Sequence, residues 1–209
     1  MITSAKDVVR FAIRMDGYDY FPLPNGQIEL PFLPHESKKD IKLVLTNLQR
    51  LSYYNNMDVR IEFCGVDIGT FRLVPGVPFA IERPANVQRK LVAAKAAFHP
   101  GARPVDERYN GLIVLHVYVE KFREAVSYDT FGRLEANPAR LRSLNSQQVA
   151  VGGVGGISYQ EYDKATKLTN PQFLGELKYR FVIVDTYERP SSRPSAPPQA
   201  NEGGLPHIR

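Results

Sequence analysis

The sequence predicts an all-β fold, an antiparallel β-sandwich, and three observations carry the prediction. Apolar and polar residues alternate in short runs along the 209-residue chain; 16 prolines and 15 glycines fall between those runs; and the connections are too short for crossover helices. Proline at this level opposes long helices and tolerates strands joined by turns. A chain of this length can bury roughly 70% of the surface its unfolded form exposes, so one core forms without staples. Cys64 is the single cysteine, which excludes an intrachain disulfide and any cysteine-based zinc cluster.

The elements follow in order. Val9, Phe11, Ile13 and Met15 alternate with Arg10, Ala12 and Arg14, the period of a strand with one wet face. Gln27–Leu30 shows the pattern weakly, and Ile41–Leu48 shows it clearly. Val59, Ile61 and Phe63 form the next strand, and a Gly65–Gly69 turn leads into Thr70–Val74 as a hairpin with Cys64 near its bend. Val77–Ile81 is a short apolar run fenced by Pro75, Pro78 and Pro84. Gln88–Phe98 has alanines that favour helix, but its alternation reads as strand. Leu112–Phe122 is the strongest strand, and Leu177–Tyr187 is the last. The expectation is about eight strands.

Between Arg123 and Glu176 no strong alternating strand is read, so residues 123–176 form a long insertion before the last strand. It holds one expected helix, Pro138–Gln148, with Asn137 as its cap. The glycine run Val151–Ile157 that follows is expected to be a flexible loop, with a polar stretch beyond it. The domain is thus residues 1–188. Residues 189–209 are a proline-rich C-terminal tail with three arginines against Glu202.

No residues converge locally on chemistry, and neither a catalytic, a cofactor-binding nor a metal site is assigned. The histidines are His35, His99, His116 and His207, none within four residues of another; His116 reads as a partly buried strand residue. The glycine run lacks a following Gly-Lys-Ser/Thr, and Ser158 stands where a dinucleotide fingerprint needs its third glycine. Cys64 closes an apolar strand and reads as a small hydrophobe. The acidic neighbours Asp16 with Asp19, Asp106 with Glu107, and Glu161 with Asp163 read as turn residues. No enzyme is expected. Met1–Met15 carries Lys6, Asp7, Arg10 and Arg14, which no export signal would, and no apolar run reaches membrane-spanning length. The net charge of +5 is spread over Arg10, Arg14, Lys42, Arg60, Arg72, Arg89 and Lys90, with a local pair at Arg140 and Arg142, too diffuse to mark a nucleic-acid partner.

Three segments carry a resemblance: the turn-rich start Asp16-Gly-Tyr-Asp-Tyr-Phe-Pro-Leu-Pro24, Phe79-Ala-Ile-Glu-Arg-Pro84, and the closing strand Tyr179–Asp185 with its tail. Over about residues 1–187 the chain resembles the single-jelly-roll penton and minor capsid proteins of large icosahedral double-stranded DNA viruses. The resemblance implies eight strands in two facing four-stranded sheets and a fivefold ring of identical subunits. It also implies extended termini that tie a subunit to major and minor capsid proteins, in a virion assembled in the host cytoplasm. Two other readings stand beside it. One is a minor capsid or cement protein. The other is a receptor- or glycan-binding sandwich that uses Tyr53, Tyr54 and Tyr109.

Overall fold

The computed structural model describes residues 4–49, 56–95, 107–120, 132–133, 150–168 and 170–186. The chain is all-β, with fourteen strands among the described residues: β1 (Val9–Met15), β2 (Tyr18–Tyr20), β3 (Gln27–Phe32), β4 (Lys38–Asp40), β5 (Lys42–Asn47), β6 (Met57–Phe63), β7 (Val66–Leu73), β8 (Pro78–Ile81), β9 (Arg89–Lys95), β10 (Leu112–Glu120), β11 (Gly132–Arg133), β12 (Ala150–Ile157), β13 (Asp163–Lys164) and β14 (Pro171–Asp185). They form a four-stranded sheet ordered β2-β1-β5-β8, a seven-stranded sheet ordered β13-β11-β7-β6-β10-β14-β3, and a three-stranded sheet ordered β12-β9-β4. Pairing is antiparallel except where β14 runs parallel to β3 and β11 to β13.

The first two sheets face each other across one core. Phe11 of β1 stacks on Tyr179 of β14 at 4.9 Å between ring centroids, and Phe71 of β7 meets Phe79 of β8 at 6.2 Å. The alternation read from the sequence is the alternation of burial. Phe11, Ile13 and Met15, Leu43 and Leu45, Val59, Ile61 and Phe63, and Ile113, Leu115 and Val117 all point inward and are buried. Each such side chain contributes about 1.5–3 kcal/mol on leaving water, so the pattern sets strand register by energy and not by local propensity. The third sheet closes onto the same core through Leu91 and Ala93.

The tight turns are set by glycine chemistry. Asp16-Gly17 and Cys64-Gly65 both have positive φ at both central residues (53° and 83°, 50° and 78°), as a type I′ hairpin requires. The β6–β7 bend therefore lies at Cys64-Gly65, and Val66–Gly69, expected as turn, belongs to strand β7.

Three further expectations are corrected. The glycine run Val151–Ile157 is the edge strand β12, paired with β9 from Ala150↔Lys95 to Ile157↔Arg89. A Cβ on Gly152 would overlap the Phe63 ring and lie 2.6 Å from Cys64 Sγ, so the missing side chain is what lets the strand lie against the β6–β7 hairpin. Second, the segment 123–176, in which no strong alternating strand was expected, holds β11, β12, β13 and the first residues of the closing strand, which begins at Pro171. Third, the described strands divide into sheets of four, seven and three, not two of four, because β3, β11 and β13 extend the second sheet and β9 pairs β4 and β12 in a third. The expected helix Pro138–Gln148 and the tail Arg189–Arg209 lie outside the described residues, as do Tyr53, Tyr54, His99, Asp106, Arg140, Arg142 and His207.

Candidate assembly surface

The most strongly built feature outside the core is the segment that follows β12. Strand β8 is the edge of the four-stranded sheet, so its outer backbone groups need partners. Gln160 supplies them: its Nε2 donates to Ala80 O at 2.7 Å, and its Oε1 accepts from Glu82 N at 2.7 Å. One side-chain amide thus stands in for a neighbouring strand. Ser158 is buried and donates from Oγ to Glu82 Oε1 at 2.9 Å, while its N–H donates to Gln88 O at 3.2 Å. Lys42 Nζ lies 2.9 Å from Glu82 Oε2, and its hydrogen bond, with that of Ser158, holds the Glu82 carboxyl below its usual range against the opposing effect of burial.

Arg83 completes the clamp. Its buried guanidinium donates from Nε to Gln160 O at 2.6 Å and from Nη1 to Pro84 O and Ala85 O, both at 3.0 Å, and lies 4.6 Å from the Tyr162 ring centroid. Tyr162 packs edge-on against Phe71, and its hydroxyl donates within reach of Arg83 O (2.9 Å) and Gln160 Oε1 (2.7 Å). Burial raises that phenol, so it stays protonated and a donor. Glu82 and Arg83 of the Phe79–Pro84 motif are thus the anchors of Ser158–Tyr162.

Between these anchored residues the segment turns apolar groups outward. Tyr159 is 87% exposed and Ile157 is 61% exposed. Ile157 is in register with Arg89, and Ser158 and Gln160 on either side of Tyr159 are hydrogen-bonded, so a partner meeting them orders no loop on binding, which is the main entropic cost of contacts made by mobile segments. A tyrosine fixed by only two rotatable bonds is well suited to such contact. A second exposed apolar pair, Phe21 and Leu23, each 44% exposed, lies just after β2. Leu23 N–H donates to Gln27 O at 2.8 Å and Gly26 N–H to Leu23 O at 2.8 Å, which fixes this turn against β3.

The other residues singled out by sequence are engaged elsewhere. Five of the seven dispersed strand cations sit in ion pairs: Arg14 with Asp19 (2.6 Å), Lys42 with Glu82, Arg60 with Asp67 (3.1 Å) and Glu62 (3.0 Å), Lys90 with Asp40 (3.2 Å), and Arg72 with Asp58. A cleft of about 470 Å³ brings Lys39, Lys42 and Lys90 together, but each is matched to a carboxylate on its rim, Lys39 to Asp16 at 2.7 Å. His116 lies on the outer side of β10, with Nε2 2.9 Å from Glu62 and Nδ1 3.4 Å from Glu176, as one member of a charged row crossing β7, β6, β10 and β14. Cys64 Sγ accepts a hydrogen bond from Gly152 N at 3.2 Å, and burial pushes its thiol up to about 11, so it is a thiol and not a thiolate at neutral pH. Tyr109 is 40% exposed, with its ring packed on the Gly65 turn and the Arg108 guanidinium over it at 5.7 Å. Among the described residues no group of His, Cys, Asp and Glu is arranged to hold a metal ion, and no helix is long and apolar enough to cross a membrane.

Sequence reading missed the Ser158–Tyr162 clamp. The signal was present in inverted form, because the segment alternates with polar Ser158 and Gln160 inward and Tyr159 outward. No protein-family model matches the chain, and no significant similarity to a curated protein or a solved structure is found.

Proposed function

We propose that the chain is a structural capsid protein, a penton-type subunit that assembles with copies of itself and with major and minor capsid proteins in a virion formed in the host cytoplasm. The observation that carries this reading is the rigid presentation of Ile157 and Tyr159. Exposed apolar side chains are held on a hydrogen-bonded clamp at a sheet edge, an arrangement that spends buried polar groups on contact geometry. The proline-rich composition of residues 189–209 supports it further, since a segment with so few large apolar residues gains its contacts from a neighbour and not from its own core. The sandwich and its clamp carry the fixed contacts; the tail acts as a tether to the adjacent subunit.

The test is assembly. Mass measurement and electron microscopy of the purified full chain are expected to show closed rings, five-membered for a penton. Removing residues 189–209 is expected to reduce particle or ring formation. A full chain that stays monomeric at high concentration would sink the penton reading, and assembly unaffected by the truncation would sink the tether.

A further inference from the structure

The chain contains two Asn-Gly pairs, Asn25-Gly26 and Asn110-Gly111, and the fold places them in opposite surroundings. In this dipeptide a side-chain carboxamide is most open to attack by its own backbone, because glycine has no Cβ to shield the peptide nitrogen that follows the asparagine.

Asn25 is exposed, in the turn between the Phe21–Leu23 pair and β3. Pro24 and Asn25 are the central residues of that turn, which the Gly26 N–H closes by donating to Leu23 O at 2.8 Å. The Asn25 side chain folds across Gly26, since the Gln27 N–H donates to its Oδ1 at 2.9 Å. That donor is aimed at the oxygen on which negative charge grows when Cγ is attacked, the place a preorganised N–H takes in acyl transfer. Gly26 N is the attacking atom. Its proton is held by Leu23 O, so attack waits for the turn bond to open, and opening is local because Leu23, Pro24 and Asn25 are all exposed.

Asn110 lacks each of these features. It is buried, and its Oδ1 has no hydrogen-bond partner among the described residues, so no donor polarises its carboxamide. Gly111 is pressed against backbone: a Cβ there would collide with Phe181 O and lie 3.2 Å from Ala150 O, which leaves no space for a ring to form.

From this contrast we infer that Asn25 is a site of self-catalysed deamidation in the folded chain, and that Asn110 is not. Hydroxide takes the Gly26 N–H proton, and the nitrogen bonds to Asn25 Cγ. The Cγ–Nδ2 bond breaks and ammonia leaves with a proton from water, which restores the hydroxide and closes a succinimide ring. Water then opens the ring at one of its two carbonyls. The product is an aspartate at position 25, or an isoaspartate whose main chain runs through the former side chain. Either one adds a negative charge to the turn. The isoaspartate also lengthens the main chain by one methylene where β3 begins: Gln27 is in register with Arg180, and the Arg180 N–H donates to Gly26 O at 3.0 Å. Deamidation thus loosens the first rungs of the β3–β14 pairing and acts as a slow clock on that edge strand.

The test is peptide mapping by mass spectrometry of the full chain held at pH 7 and at pH 9, with isoaspartyl methyltransferase to count isoaspartate. Conversion of amide to acid is expected at Asn25, faster at the higher pH, and at least about tenfold faster than at Asn110 while the chain is folded. In urea, where both pairs are exposed, the two rates are expected to converge. Hydrogen exchange at Gln27 and Ile28 is expected to rise in the aged wild type and not in aged Asn25→Gln, whose longer side chain does not close the same ring. An Asn25 that stays an amide in the folded chain while it converts in urea overturns the site, as does Asn110 converting as fast as Asn25 in the folded chain. Unchanged exchange at Gln27 and Ile28 in converted chains overturns the clock.

Discussion

Removing one partner of the Asp58–Arg72 pair is the sharpest test of how the outer face of the seven-stranded sheet is held. The two residues are cross-strand neighbours on β6 and β7, each 4% exposed, although both point away from the core. They are buried because the segment before β14 lies over them: Arg72 Nη2 donates to Thr166 O at 2.7 Å, while Arg72 also donates through Nε and Nη2 to the two Asp58 oxygens. Asp58→Ala leaves a buried guanidinium with the Thr166 carbonyl as its remaining hydrogen-bond partner among the described residues. The expected loss is about 3–5 kcal/mol, the range for stranding one member of a buried pair. For a chain of this size that lowers the melting temperature by roughly 6–20 °C.

Arg72→Ala strands the carboxylate instead, and pH separates the two variants. Burial raises the Asp58 carboxyl, against the opposing pull of Arg72. A carboxyl raised in the folded state weakens the fold above its folded pKa, and the penalty is relieved as pH falls toward the unfolded value of about 3.9. Without the guanidinium the raise grows, so the deficit of Arg72→Ala against wild type shrinks between pH 7 and pH 5. That of Asp58→Ala, which has no carboxyl to titrate, does not. Urea unfolding at both pH values reads this directly. Identical pH profiles for the two variants, or an Asp58→Ala loss within about 0.5 kcal/mol, would refute the buried-pair argument.

Three other outcomes are expected. Gly152→Ala, which drives a methyl into the Phe63 ring, should cost about 1–3 kcal/mol, whereas Gly156→Ala, with nothing within 4 Å of the new Cβ, should stay within about 0.5 kcal/mol; equal thermal shifts would contradict the close-approach account of β12. Gln160→Ala unpairs Ala80 O and Glu82 N and should destabilise by about 1–3 kcal/mol, with hydrogen exchange rising first at Glu82; uniform exchange would argue against the amide as an edge partner. The Cys64 thiol, pushed up to about 11, stays protonated at pH 8, so alkylation by iodoacetamide should be slow in the folded chain and speed up on unfolding; labelling as fast as that of the unfolded chain would contradict the raised thiol.

Much of the sandwich was legible because hydrophobic burial writes itself into period-two patterns. Strand β1 matches its reading residue for residue, β5, β6 and β8 differ mainly at their ends, and β10 follows its reading over the described residues Leu112–Glu120. The alanine-rich Gln88–Phe98 segment, open between helix and strand on propensity, is strand at Arg89–Lys95 because Leu91 and Ala93 reach the core. What was illegible lacks that pattern for identifiable reasons. Four glycines in β12 remove the side chains that would alternate, yet it is their absence that brings the strand against Phe63. Lys38–Asp40 is polar because it pairs through its backbone at an edge, and Asp163–Lys164 is two exposed residues. The candidate surface was hidden more deeply, since Ser158 and Gln160 are inward for hydrogen bonds and Tyr159 outward, the reverse of what hydropathy looks for.

The parallel pairing of β3 with β14 bears on how the chain comes to be folded at all. Gln27 meets Arg180, 153 positions later, whereas the β6–β7 hairpin closes between Phe63 and Val66. By the (3/2)RT ln n scaling, closing the longer loop costs about 3.5 kcal/mol more than the shorter. On a ribosome, β3 emerges long before β14, its neighbour, so the seven-stranded sheet completes only once β14 has been synthesised. During that interval its apolar face, Ile28, Leu30 and Phe32, has no sheet to join. Refolding should accordingly show fast formation of the local hairpins and a slower phase that buries β3, the order that contact separation imposes.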